Sequence, residues 1–269
     1  MCRAKMELTT SDRTTLFFET YGDPADRPLV VIHGLGADHE MWAPQIETLP
    51  PQGFFLIAPD VRGHGRSSPV ETFELQDCAR DIAELLDHLE IPQATVAGVS
   101  MGGVIVQQFT CDFPDRLDRL ILSDSFSEIR TLMEKLAAWS NWLTLKLWPS
   151  LFSRAFEMAY RQPHMEQARD YFHEVFQEMD PQQVLQARVA LNHFDIIDRL
   201  PAVDSPALVV VGDQFGAFAI NMARKTADAL PNAAFQVLEG GADPSNLTVP
   251  DEFDRAILDF LMDRKGKGN

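Results

Sequence analysis

The sequence predicts an α/β fold with a mostly parallel central sheet flanked by helices and interrupted by an inserted helical segment. Three observations carry this. Short, wholly apolar runs recur along the chain, and helical spacing fills the gaps between them. The alternation stops after about residue 127 and resumes near 196. Apolar runs of this length suit parallel strands buried on both faces, and strand–helix–strand alternation signals right-handed crossovers.

The elements follow in order. Met6 to Thr9 and Thr15 to Tyr21, split by Ser-Asp-Arg, read as a hairpin. Pro28 to Ile32, Phe54 to Ala58, Ala94 to Ala97 and Leu120 to Leu122 are the first apolar strands; Ala207 to Val211 and Ala234 to Leu238 are the last. Leu75, Ala79, Ile82, Leu86 and Leu89 recur at helical spacing, which predicts an amphipathic helix over Phe73 to Leu89. Gly102 to Phe109 reads as a buried helix, and Phe253, Ile257, Phe260 and Leu261 mark a closing one.

Residues 127–195 read as helical and rich in large side chains, among them Trp139, Trp142, Trp148, Phe152, Phe156, Tyr160 and Phe172. Such a segment needs aromatics for its own core, and it also suits a cap with an apolar underside over a pocket. The expected organisation is therefore an α/β core of 1–126 and 196–264, a helical cap of 127–195 and a disordered tail of 265–269.

The 269 residues are 45% hydrophobic and 23% charged, ordinary globular values that suit one large domain. A net charge of −17 argues against nucleic acid and anionic membranes as partners. It leaves a small-molecule partner as the expectation and the oligomeric state open. No run approaches the ~20 apolar residues of a membrane span. Cys2, Cys78 and Cys111, an odd number without a secretory leader, read as reduced thiols of a cytoplasmic protein. Neither a metal-spaced His/Cys cluster nor a phosphate loop is visible, so neither metal nor cofactor is expected.

The chemistry is carried by Gly98-Val99-Ser100-Met101-Gly102, a G-x-S-x-G pattern that follows an apolar strand and opens a buried helix. In that context the serine sits on a strained strand-to-helix turn, with its hydroxyl presented at the carboxyl end of the sheet. Three further segments agree: His33-Gly34-Leu35-Gly36, Asp60-x-Arg62-Gly63-His64-Gly65-x-Ser67, and Phe113-Pro114-Asp115-Arg116-Leu117. With these, the chain resembles the α/β-hydrolase fold family, in its capped esterase, lactonase and C–C hydrolase branch. The resemblance implies Ser100 as nucleophile and the backbone N–H groups of Leu35 and Met101 as the oxyanion hole.

The resemblance breaks at the other two members of the triad. The family's acid position after the penultimate strand holds Phe215, and its histidine position, before Ser245-Asn246 and Pro250, holds Asp243. No histidine follows His193, so no shift of alignment supplies one. Asp124 and Asp213 remain as candidate acids and Asp243 as a nonstandard base. His33, Trp139, Trp142 and His193 are candidate pocket residues, and His39 is a second candidate for a displaced histidine. The expectation is ester or lactone hydrolysis of a small neutral, largely apolar carbonyl compound by Ser100 with a nonstandard or impaired base. The alternatives are a non-hydrolytic lyase, isomerase or cyclase using Ser100 and Asp243, and a catalytically degenerate ligand-binding protein.

Overall fold

The computed structural model describes residues 3–148, 154 and 158–262. Cys2, Phe152, Phe156 and the tail 265–269 lie outside the described residues. Eight strands form one sheet: β1 (Arg3–Thr9), β2 (Thr15–Tyr21), β3 (Arg27–Ile32), β4 (Phe54–Pro59), β5 (Ala94–Val99), β6 (Leu117–Ser123), β7 (Ala207–Gly212) and β8 (Ala233–Leu238). Their spatial order is β1-β2-β4-β3-β5-β6-β7-β8. The β1–β2 and β2–β4 pairs are antiparallel and all the others parallel. The predicted strands are all present; Thr15–Tyr21 has the predicted bounds, and the others are longer by one to four residues.

Alternation along the central strands explains why they read as continuous apolar runs. Val30, Ile32, Leu120, Leu122, Val209 and Val211 face one side of the sheet. Leu29, Val31, Ile121, Leu208 and Val210 face the other. Successive side chains of a strand point to opposite faces, and here both faces are covered.

Helices α1 (Ala43–Thr48), α2 (Leu75–His88) and α3 (Met101–Asp112) lie between the early strands. The stripe Leu75, Ala79, Ile82, Leu86 of α2 is buried, as its spacing predicts. Between β6 and β7 lie α4 (Leu132–Leu147), α5 (Glu166–Glu178) and α6 (Pro181–Asn192). This stretch is not purely helical. Glu128 and Asp195 form an antiparallel bridge, and Ile196 N–H donates to Ser127 O (2.9 Å), so the chain leaves and re-enters the sheet layer at one neck. Helices α7 (Gly216–Ala229), α8 (Ser245–Thr248) and α9 (Pro250–Leu261) complete the chain. Among the described residues no helix is long and apolar enough to cross a membrane.

Candidate active site

The site forms where β5 and β6 end. Ser100 has φ 54° and ψ −115°, a conformation that an L-residue rarely adopts. It is held there by hydrogen bonds at both ends. Its N–H donates to Ser123 O (2.9 Å), and its carbonyl accepts from Val104 N–H (3.2 Å) and Ser125 Oγ (2.9 Å). The turn is tight enough to exclude side chains on both flanks. A Cβ on Gly98 would run into the Gly102 carbonyl, and one on Gly102 into the carbonyls of Ile32 and His33. Gly102→Ala is therefore expected to cost at least ~2 kcal/mol of folding stability. A urea midpoint that does not move would show that the elbow relaxes around the methyl.

The Ser100 hydroxyl donates to Asp243 Oδ2 at 2.9 Å. The loop carrying Asp243 follows β8 and is pinned by Tyr160, whose buried hydroxyl donates to the Asp243 carbonyl (2.6 Å). Asp124 stands at the end of β6, also at positive φ (50°). It accepts from Gly212 N–H (2.8 Å), Ser245 N–H (2.8 Å), Ser245 Oγ (2.9 Å) and Ser123 Oγ (2.7 Å).

The two carboxyls share one low-dielectric region, and each is raised from its ordinary value. For Asp243, burial is the main cause, the neighbouring Asp124 charge adds to it, and the Ser100 hydrogen bond opposes it only in part. For Asp124, burial pushes upward and the four donors pull back. Donors to a carboxylate favour its charged form. Asp243, with one donor against the four of Asp124, is therefore the carboxyl of the pair that lies well above the usual carboxylate range.

Ser100, Asp124 and Asp243 line a cavity of about 490 Å³ together with Gly34, Leu35 and Met101. The Met101 amide is the first of α3 and has no carbonyl a turn earlier to bond. Ala138 of α4, Leu191 of α6 and Phe218 of α7 supply apolar wall, and Phe215 reaches the cavity from the turn before α7.

Several residues singled out from the sequence do not reach this cavity. His33 is fully buried elsewhere. Its Nδ1–H donates to Gly34 O (2.8 Å) and its Nε2 accepts from Val61 N–H (2.9 Å), while burial holds its pKa down, so it is a neutral structural ring. His39 is bound by Asp60 (2.8 Å) beneath the loop after β3. His193 is exposed and meets Trp139 edge-on (6.2 Å). Trp139 and Trp142 of α4 pack against each other (5.3 Å) and do not line the cavity. Asp213 caps Gly240 N–H (3.0 Å) and is likewise off the cavity wall. Among the described residues no histidine lines the cavity, and no cluster of His, Cys, Asp or Glu is suited to a metal ion.

Sequence reasoning missed Tyr160 as the anchor of the Asp243 loop, and it missed Arg188, which lies in the cavity wall. Arg188 had a readable signal. It stands four residues after Val184 and three before Leu191, on the buried stripe of α6.

A serine on a strained elbow, at the carboxyl end of a parallel sheet and opening on an apolar cavity, defines a class of enzyme built around a hydroxyl nucleophile. The chain belongs to the alpha/beta hydrolase fold family, whose model matches residues 27–248. It is 29% identical over 262 residues to 3-oxoadipate enol-lactonase 2 of Acinetobacter baylyi, with 94% of this chain and 95% of that protein covered. Among solved structures it is similar to a thermophilic esterase from Thermogutta terrifontis (25% identity, TM-score 0.82, 98% and 99% coverage). It also superposes on the enol-lactonase from Burkholderia xenovorans LB400 (23% identity, TM-score 0.83, 96% and 100% coverage), a likeness of fold.

Proposed function

We propose that this chain hydrolyses an ester or lactone of a small, largely apolar carbonyl compound, with Ser100 as nucleophile and Asp243 as the group that takes its proton. The observation that carries the reading is the Ser100–Asp243 hydrogen bond of 2.9 Å in the wall of an apolar cavity. Residues 127–195 act as a cap over a core of 1–126 and 196–264. The protein works in the cytoplasm, in keeping with its free Cys78 and Cys111.

Each step balances. Ser100 Oγ attacks the acyl carbon as its proton passes to the Asp243 carboxylate, and the charge gathers on the carbonyl oxygen against the Leu35 and Met101 amides. The acyl C–O bond breaks, Asp243 returns the proton to the departing alkoxide, and an acyl-serine remains. Water then adds to that acyl group, gives a proton to Asp243, and releases the acid as Ser100 regains its hydrogen. The elevated Asp243 pKa makes its carboxylate a stronger base than an ordinary aspartate and leaves less of it ionised at neutral pH.

That same elevation favours a second reading, in which a protonated Asp243 donates to a substrate carbonyl in a lyase, isomerase or cyclase reaction. The pH dependence of fluorophosphonate labelling separates the two. If Asp243 is the base, labelling of Ser100 rises with pH as the carboxylate forms, with a midpoint above the usual carboxylate range, and vanishes in Ser100→Ala. Labelling that is flat or falls over this interval contradicts the base role, and its absence at every pH contradicts an activated serine.

A further inference from the structure

Arg188 is a cation in the cavity wall that no protein group answers among the described residues. Its Nε is shut away from solvent without an acceptor, and no ion pair reaches its guanidinium. Burial alone lowers its pKa, to about 10, with no neighbouring anion pulling it back up, so it remains charged at neutral pH. The carboxyls of the same wall are all answered. Glu134 is met by Lys225 Nζ (3.0 Å) and by the amides of Arg130 (2.9 Å) and Thr131 (2.8 Å). Asp124 has its four donors, and Asp243 has Ser100.

An unpaired buried charge is destabilising, and a guanidinium presents its donors in a rigid fork that matches a carboxylate. We propose that the substrate of this cavity carries a carboxylate, separate from the carbonyl that Ser100 attacks, and that Arg188 binds it. The inference rests on Ser100 as the reaction centre of the same cavity, and it reverses the expectation of a neutral substrate, which counted Asp213 and Asp243 as negative charge near the site; Asp213 caps Gly240 N–H and does not line the cavity. The net charge of −17 is spread over the surface and is screened within about 8 Å at physiological salt. Arg188 acts at contact distance from the wall of the cavity itself. Its neighbours on α6, Val184, Ala187 and Leu191, are buried and apolar and cannot compensate it.

The test is binding without turnover. Titration calorimetry compares 4-phenylbutyrate with its neutral isostere 4-phenylbutyramide on the wild-type protein, Arg188→Gln and Arg188→Lys. The carboxylate is expected to bind the wild type at least about tenfold more tightly than the amide, the worth of one charge-assisted contact. The preference should disappear in Arg188→Gln and survive in part in Arg188→Lys. Arg188→Gln should melt no lower than the wild type, because it removes an unanswered charge. Equal binding of the two probes by the wild type, binding of neither, or a preference that persists in Arg188→Gln overturns the proposal. Neither probe is hydrolysed, so these outcomes are independent of whether Ser100 labels.

Discussion

Asp243→His is expected to raise the rate at which a fluorophosphonate labels Ser100 at neutral pH by ~10²–10⁴, the usual contribution of a positioned general base. The physical reason is a match of proton affinity to pH. An imidazole titrates near ~6.5 and is largely free to accept a proton at neutral pH. Asp243, raised by burial and by the Asp124 charge, is less ionised there than an ordinary aspartate. The carboxyl already hydrogen-bonds the serine, and the cavity next to it leaves room for a ring. Asp124 is the acid on hand to orient that ring, so Asp124→Asn in the Asp243→His background should remove most of the gain. Labelling that is no faster in Asp243→His than in the wild type would mean that residue 243 is not where this protein keeps its base.

Asp124→Ala is expected to destabilise the fold by at least ~2 kcal/mol, because it strips the acceptor from the Gly212 and Ser245 amides, both in buried residues. These amides belong to the end of β7 and the start of α8, so the loss should loosen the loop that carries Asp243. Asp124→Asn keeps one acceptor oxygen and tolerates the positive φ at this position. Its cost should be smaller, and its informative effect electrostatic. The Asp124 charge helps to raise Asp243, so removing it should move the midpoint of Ser100 labelling to lower pH. An unmoved midpoint would mean that burial alone sets the Asp243 proton affinity.

Stability should follow the same linkage. A carboxyl raised in the folded state binds more protons there than in the unfolded chain, between the unfolded value near ~3.9 and its folded value. Its contribution to stability is thus present at low pH and lost as pH rises through the folded pKa. Asp243→Asn should therefore gain stability relative to the wild type as pH rises across that window.

The strands were readable because burial on both faces makes each a wholly apolar run, as in Val30, Val31 and Ile32. The elbow was readable because its requirements lie within five residues: a serine at positive φ, and glycines where neighbouring carbonyls leave no room for a Cβ. The missing histidine was readable as composition alone. The partners of these residues were not. Ser100 and Asp243 are 143 positions apart and meet only through the order in which the strands cross. The candidate histidines show the same limit, since His33 and His39 sit next to the site in sequence yet face into the core.

Arg188 shows where local reading ends. Helical spacing puts it on the buried face of α6, and spacing cannot say whether a buried face meets packed side chains or open cavity. The identities at the elbow, the strand pattern and the lack of any histidine after His193 follow from the residues themselves, because turn geometry and alternation act over a few positions. That Asp243 meets the serine, that Asp124 carries the donors, and that Arg188 stands unanswered in the cavity were decided by tertiary packing. Burial and partnering are properties of what surrounds a side chain, and those surroundings come from distant parts of the chain.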